Sequence, residues 1–131
     1  MEFLNNDEII GIDCGASKVL VQSCVFDTEK SLISPGQLHK EYLFSNHPDW
    51  NKNYHPVQLK IQIQENIENR IRLSRLEKKQ GDVIVQTINN ITSNFNNIEI
   101  GLCFPGLKSK EGVSVLANGP RIPNILKRLN N

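Results

Sequence analysis

One aspartate and one lysine flank a short turn of small residues near the start of the chain. Asp13 ends an apolar run, residues 14–17 are Cys, Gly, Ala and Ser, and Lys18 opens a second apolar run. A glycine-containing turn exposes backbone N–H groups that can surround an anion, and an ammonium at its rim adds positive charge. The carboxylate at the strand end is placed to hold a hydrated magnesium ion. The turn is either a phosphate-binding loop or an ordinary hairpin turn, because Gly and Ser favour turns in any case.

The segment after this turn distinguishes between kinds of phosphate site. A Rossmann fingerprint or a Walker loop needs a helix directly after its glycines, because the helix N-terminus faces the phosphates. Residues 19–26 are instead rich in Val, with Leu and Phe, which favours a buried strand. The pattern therefore predicts strands over residues 8–13 and 18–26 joined by the turn, and it argues against both of those motifs.

The composition is typical of a single globular domain over residues 1–131. The chain is 38% hydrophobic and 22% charged, and its formal net charge of +1 gives no reason to expect binding to nucleic acid or to a membrane surface. Its three cysteines show no CxxC or Cys/His spacing, so neither a disulfide framework nor a zinc site is indicated. The polar N-terminus and the absence of a long apolar stretch predict a cytoplasmic protein without a membrane segment.

The next stretch predicts a third strand followed by a long loop. The strand is expected within residues 32–44, with its core at residues 39–44, because Pro35 and Gly36 interrupt the first part. Three consecutive strands joined by short turns form an antiparallel meander. Residues 45–56 show no period and are expected to form a long loop, in which Trp50 serves as an anchor more readily than as a platform for a sugar.

Two helices are predicted after the loop. Apolar residues that recur every four positions favour a helix over residues 57–80, although the first few also alternate as they would in a strand. Gly81 is expected to end this helix or to mark a bend, and Asp82 to cap the next one. The second helix should pack on the sheet through an apolar stripe. The first set is Leu59, Ile63, Ile67 and Ile71, and the second is Ile84, Ile88, Ile91 and Phe95.

Shorter elements complete the chain. Residues 98–104 are predicted to be a strand, residues 112–117 a short strand-like piece, residues 118–120 a turn, and residues 123–129 a helical segment. The order of three strands, helix and strand predicts an α/β fold, with a mixed sheet and helices on its face.

Two separated stretches carry motifs that resemble one known family. Residues 10–18 read I-G-I-D-C-G-A-S-K and resemble the first phosphate motif of the actin, sugar-kinase and Hsp70 superfamily, which is D-x-G-x-T-K in its sugar kinases. Residues 100–107 read I-G-L-C-F-P-G-L, and they are followed by G-V at 112–113 and A-N-G-P at 117–120. This progression resembles the ROK family of repressors, open reading frames and kinases. The order and separation of the two stretches also match that family.

The resemblance implies a ribonuclease-H-like, actin-like ATPase fold and an ATP-dependent sugar kinase. Family members continue well beyond this length and fold as a pair of domains around a cleft. The chain would therefore be the N-terminal domain, and its partners would be a sugar substrate, a missing C-terminal kinase domain and a second copy in a homodimer of the intact protein.

The resemblance also implies specific site residues. Asp13 would orient the hydrated magnesium ion of Mg-ATP, and Gly106 and Asn118 would contact the hydroxyls of a hexose or an N-acetylhexosamine. The nucleotide phosphates would be approached by the backbone of three residues and by one ammonium, namely Gly15, Ala16, Ser17 and Lys18. Phosphoryl transfer depends mostly on positioning and charge neutralisation, so a carboxylate-held metal and a backbone cradle are the expected parts.

Departures from the family pattern keep a second interpretation open. The family often has Gly where Ala16 stands and Thr where Ser17 stands. Its general base is the Asp of an Asn-Asp pair that lies further along the family sequence than the position matching Asn131. Without that base, the chain lacks a group worth on the order of 10²–10⁴ in rate. The sequence is thus interpreted as half of a sugar kinase or as a non-catalytic sugar-sensing or interaction module of the same fold.

Overall fold

A four-stranded mixed sheet with one long helix packed against it forms the centre of this α/β protein. The computed structural model describes residues 8–109 and 112–129. The main sheet contains β1 Glu8–Cys14, β2 Lys18–Asp27, β3 Leu32–Leu43 and β4 Ile100–Cys103, and a small second sheet contains β5 Leu107–Lys108 and β6 Val113–Val115. The helices are α1 Leu59–Ile67, α2 Arg75–Thr92 and α3 Ile125–Arg128, and a 3₁₀ turn spans Phe44–Asn46.

The strand order of the main sheet is β3-β2-β1-β4. The first three strands form the predicted antiparallel meander, and β4 lies parallel to β1 on its other side. Asp13 is paired with Leu20 on β2 and with Cys103 on β4. Because β1 and β4 are parallel, the turn that follows β1 and the segment that follows β4 leave the sheet at the same edge.

The third strand lies within the predicted range, and the predicted interruption at Pro35 and Gly36 is an irregularity in its pairing with β2, not a break in the strand. Pro35 is paired with Cys24, and a shift in register between Gln22 and Cys24 marks a β-bulge. The carbonyl of Gly36 accepts a hydrogen bond from Gln22 Nε2 at 3.1 Å. An edge strand tolerates a proline at a bulge because no ladder hydrogen bond from its nitrogen is needed there.

The predicted break between the helices lies at the wrong position. The first helix ends at Ile67, Asn69 follows with a φ of 54°, and the second helix begins after Ser74. Ser74 Oγ accepts a hydrogen bond from the backbone N–H of Glu77 at 3.0 Å, and this satisfies one of the unpaired donors at the helix start. Ser74 and Glu77 have the spacing of a capping box, a local signal for the true boundary.

Gly81 and Asp82 lie inside α2 and neither ends nor caps a helix. A Cβ added to Gly81 would lie 3.2 Å from Ile122 Cγ1, so the absence of a side chain lets α2 approach the C-terminal segment closely. Asp82 forms an ion pair with Arg128 of α3. Both residues therefore connect α2 to the end of the described chain.

The apolar stripe of the second helix is confirmed as part of the core. Its members Ile84, Ile88 and Ile91 are buried, as is Phe95 just beyond the helix end. They share one cluster with the inward side chains of β1 and β2, such as Ile10 and Val21. This packing holds the long helix on the sheet.

The first helix is oriented differently from what its apolar stripe suggests. Leu59, Ile63 and Ile67 are exposed at 48%, 44% and 71%, whereas Gln62 is fully buried. The helix itself is confirmed over its observed length. Its polar residue faces the interior because that side chain forms hydrogen bonds with the backbone of Val57 and Leu116 there.

The long loop is organised by its tryptophan, as predicted. The 3₁₀ turn includes its first two residues, and no regular helix or strand follows until Leu59. Trp50 stacks on Phe44 with ring centroids 5.1 Å apart and packs against the core. No helix in residues 8–109 and 112–129 is long and apolar enough to cross a membrane.

Candidate functional site

A cleft of about 450 Å³ lies at the sheet edge where the carboxyl ends of β1 and β4 meet. Three chain segments line it, residues 13–16, 104–106 and 116–120, together with Ile84 of α2. The first segment belongs to the N-terminal motif, and the other two belong to the C-terminal motif. Tertiary folding thus brings the two sequence motifs to the same cavity.

The turn between β1 and β2 is tight and anchored at both ends. The backbone N–H of Gly15 donates to the Lys18 carbonyl at 2.9 Å, and the Ser17 carbonyl accepts from the backbone N–H of Phe44 at 3.0 Å. Positive φ occurs at Ser31, Asn69 and Asn97 among the described non-glycine residues, and not at Ala16. Alanine in place of the family's glycine therefore creates no backbone strain in this turn.

Asp13 is exposed at the end of β1 and contributes a carboxylate to the cleft. The described part of the chain contains no group of three His, Cys, Asp or Glu side chains that could hold a metal ion. Magnesium in nucleotide sites needs no such group, because it keeps several waters and takes one or two carboxylates with the substrate phosphates. A single exposed carboxylate therefore fits a metal that arrives with a nucleotide.

Ser17 and Lys18 do not line the cleft. The Lys18 ammonium lies 3.1 Å from Glu41 Oε1 on the neighbouring strand, and both side chains are about half exposed. The predicted approach of Lys18 to phosphates therefore requires the ammonium to leave Glu41. An exposed pair of this kind stabilises by roughly 0–1 kcal/mol, so such a movement costs little.

Glu41→Gln tests whether the Lys18 ammonium can contribute to nucleotide binding in the cleft. If the ammonium moves to bind a nucleotide, loss of its competing carboxylate should tighten Mg-ATP binding by about twofold to fivefold. Isothermal titration calorimetry at low salt measures the change, and Lys79→Gln, which perturbs the exposed contact with Asp49, is the control. An unchanged or weakened affinity in Glu41→Gln would place Lys18 outside the nucleotide site.

Gly106 fits the cleft wall because it has no side chain. Its φ is +99°, and an added Cβ would lie 2.5 Å from the Val115 carbonyl oxygen and 3.0 Å from Val113 Cγ1. Only glycine adopts this conformation without strain at such close range. The residue therefore lets the segment after β4 fold back against β6, so that residues 104–106 and 116–120 form neighbouring parts of the cleft.

Asn118 lies on the last lining segment, between two residues that buried polar side chains hold in place. Its side chain is exposed, while Leu116 and Arg121 on either side are buried. The Gln62 amide accepts a hydrogen bond from the backbone of Leu116, and the Glu77 carboxylate accepts one from the guanidinium of Arg121. The capping position of Glu77 is a readable signal, but no local pattern indicates the burial of Gln62 or Arg121.

The Arg121 guanidinium is fully buried and bound by two carboxylates. Nε and Nη2 donate to the two oxygens of Glu77 at 2.9 and 3.0 Å, and Nη1 donates to Glu65 Oε1 at 3.2 Å. The hydrogen bonds to Glu77 raise the pKa of Arg121 above its ordinary value. A hydrogen bond from the backbone N–H of Arg72 lowers the pKa of Glu65, and the hydrogen bond and charge of Arg121 lower it further. The hydrogen bonds of the network therefore favour the charged forms of Arg121 and Glu65.

Cys14 lines the cleft, but its thiol is poorly reactive. Burial, followed by the charge of Asp13, raises the pKa of its thiol to about 12. The nucleophilic thiolate is then scarce at neutral pH. Cys103 lies beside Asp13 on the parallel strand and is exposed.

Brief alkylation of the folded protein should therefore label Cys103 well before Cys14. Peptide mass spectrometry after limited iodoacetamide treatment near neutral pH measures the order, and the same treatment in denaturant is the control that both thiols can react. Early labelling of Cys14 in the folded protein would contradict its burial in the cleft wall.

Comparison of the chain with protein-family models, with curated proteins and with solved structures gave no match. The cleft combines the exposed carboxylate of Asp13, the tight turn of residues 14–17 and the exposed side chain of Asn118. Buried hydrogen bonds hold the segment of Asn118 at both ends. We conclude that this cavity is the candidate functional site of a mixed α/β protein.

Proposed function

We propose that the chain is the N-terminal, ribonuclease-H-like half of a cytoplasmic, ATP-dependent sugar kinase of the ROK type. The main observation in support is that residues 13–16, 104–106 and 116–120 line one cleft. These are the segments in which the two motifs resemble that family, although they lie far apart in the sequence. Their meeting is expected if both motifs serve a single site.

The sheet topology also supports this proposal. An antiparallel meander followed by helices and a parallel strand is the arrangement that the resemblance implies, and the order β3-β2-β1-β4 has this form. In such a sheet, the carboxyl ends of adjacent parallel strands place the following loops side by side. The phosphate side and the sugar side of a kinase cleft would then be carried by different loops at one edge.

Each part of the cleft would have a distinct role in phosphoryl transfer. Bound magnesium would neutralise phosphate charge, and Asp13 would orient it through its water shell. The backbone N–H of Ala16 would contact the phosphates, because the backbone N–H of Gly15 already donates to the Lys18 carbonyl within the turn. The Asn118 amide can donate to and accept from sugar hydroxyls. Ile84 forms an apolar part of the lining that helps to exclude water. The resemblance assigns the general base to a later segment.

A coupled assay of ADP release tests the proposal. The intact protein is assayed with Mg-ATP against a panel of hexoses and N-acetylhexosamines, with a blank that contains no sugar. We expect turnover above the blank with at least one sugar, and mass spectrometry should identify the corresponding sugar phosphate. Absence of turnover across the whole panel would contradict the kinase assignment.

One observation favours a second candidate, a sugar-sensing module without catalysis. Lys18 is paired with Glu41 outside the cleft, so the described lining residues include no ammonium. A cleft without that charge is less suited to a polyphosphate than to a neutral sugar. Calorimetry that shows sugar binding without Mg-ATP binding would support this alternative, and clear nucleotide binding would exclude it.

A further inference from the structure

Residues 116–120 form one wall of the cleft, and we call them, together with Arg121, the strap. A buried amide holds its first residue. Gln62 of α1 is fully buried. Its Oε1 accepts from the backbone N–H of Leu116 at 2.7 Å, and its Nε2 donates to the Leu116 carbonyl at 3.0 Å and to the Val57 carbonyl at 2.7 Å. The amide thus satisfies both backbone groups of Leu116 and ties them to the start of α1.

A buried carboxylate holds the last residue of the strap. Glu77 Oε1 accepts from the backbone N–H of Arg121 at 2.9 Å, in addition to its bonds with the guanidinium. Arg121 Nη2 also donates to the Arg72 carbonyl at 3.1 Å, in the segment between α1 and α2. Backbone and side chain are therefore both fixed, so this end can neither slide nor rotate without breaking buried charged hydrogen bonds.

The cleft-facing part of the strap lies between these two attachment points. Ala117 and Asn118 are exposed, and the residues next to them are buried. Gly119 is closely packed, since an added Cβ would lie 3.2 Å from Leu116 Cδ2. The position of Asn118 in the cleft is thus determined by helices α1 and α2. The opposite side, residues 13–16, is held separately by β1 and its turn.

We infer that Gln62 and the Glu77–Arg121 pair are positioning residues for the sugar side of the cleft, an inference that depends on the proposed sugar-kinase function. They do not touch the ligand themselves. They fix the strap so that Asn118 keeps its place opposite the nucleotide side. Buried ion pairs often add little net stability compared with apolar packing. Apolar side chains in their place could not fix the strap in the same way, because they cannot form hydrogen bonds with the backbone groups of Leu116 and Arg121.

Gln62→Leu removes the first attachment, and Gln64→Leu on the same helix is its matched control. Gln64 is exposed, and its amide donates to Glu68 within α1. In the intact protein, we expect Gln62→Leu to raise the KM for sugar by on the order of 10–100-fold, while the KM for ATP changes by less than about twofold. Gln64→Leu should change neither. A general loss of structure would affect both substrates together.

Amide hydrogen exchange measures the same property without any substrate. Gln62→Leu should accelerate exchange within residues 116–121 by at least about tenfold relative to Gln64→Leu, and leave the core of α2 protected. If Gln62→Leu does not fold, Glu65→Gln is used instead. This change weakens one contact with Arg121 and should produce a smaller rise in the KM for sugar, of about threefold.

The outcomes separate this inference from the kinase proposal. Unchanged exchange in residues 116–121, or an equal rise in both KM values, would overturn the positioning role. If the unmodified protein phosphorylates no sugar, the kinase proposal fails, and sugar affinity measured by calorimetry replaces KM as the readout. Weaker sugar binding in Gln62→Leu, together with faster exchange in the strap, would then still support positioning. Failure of the unmodified protein to bind any sugar would overturn both proposals.

Discussion

Arg121→Met is expected to lower the free energy of unfolding by about 3–5 kcal/mol. The guanidinium is fully buried, and its loss would leave the Glu77 carboxylate, which is 1% exposed, without its charged partner. An unpaired buried charge costs far more than the contact area of the lost side chain suggests. Equilibrium urea unfolding, followed by the fluorescence of Trp50, measures the change.

Arg128→Met is the matched control for this prediction. Arg128 pairs with Asp82 on the surface of α2 and α3, where both side chains are partly exposed. An ion pair of this kind contributes roughly 0–1 kcal/mol. The double variant Glu77→Leu with Arg121→Met should recover part of the loss, because it also removes the buried Glu77 carboxylate and leaves only the partly exposed Glu65 carboxylate of the network. If Arg121→Met lowered the free energy of unfolding as little as Arg128→Met does, the prediction that an unpaired Glu77 carboxylate is costly would be wrong.

If the intact protein is the proposed kinase, Asp13→Asn is expected to reduce its kcat by on the order of 10²–10³-fold. Under the proposed function, the carboxylate orients the metal water shell, and a neutral amide orients it much less strongly. Asp13 is exposed, so the substitution should change the free energy of unfolding by less than about 0.5 kcal/mol. Turnover is measured over a series of magnesium concentrations, and the variant should require more magnesium than the unmodified protein.

Asp49→Asn serves as the control for that experiment. Asp49 is an exposed aspartate near Lys79 and does not line the cleft, so its kinetics should match those of the unmodified protein. Equal activity of Asp13→Asn and Asp49→Asn would remove Asp13 from the catalytic site. A loss of folded protein in Asp13→Asn would instead indicate a structural role at the end of β1.

The correctly predicted elements are those with short-range signals. The hairpin of β1 and β2 follows from an apolar run, a small-residue turn and a second apolar run. The core face of α2 follows from the spacing of Ile84, Ile88 and Ile91, because a helix brings such residues to one side. The anchoring role of Trp50 follows from its being a large apolar side chain within a polar loop.

The wrong predictions arise where short-range signals compete. Glycine is often found at a helix end, but Gly81 is needed inside α2 for a close approach to Ile122. The capping signal of Ser74 and Glu77 is present in the sequence and identifies the true start. The period of Leu59, Ile63 and Ile67 predicts a helix correctly, but the buried partners of Gln62 decide which side of it faces inward.

The sequence by itself determined the hairpin with Asp13 at its turn, the apolar face of α2 and the two motifs. Tertiary structure alone decided that the motifs share a cleft, that Lys18 pairs with Glu41, and that the strap is held at both ends. The physical reason is distance along the chain. Gln62 and Leu116 are 54 positions apart, and Glu77 and Arg121 are 44 apart, so a polar side chain becomes a buried attachment point only after the chain folds.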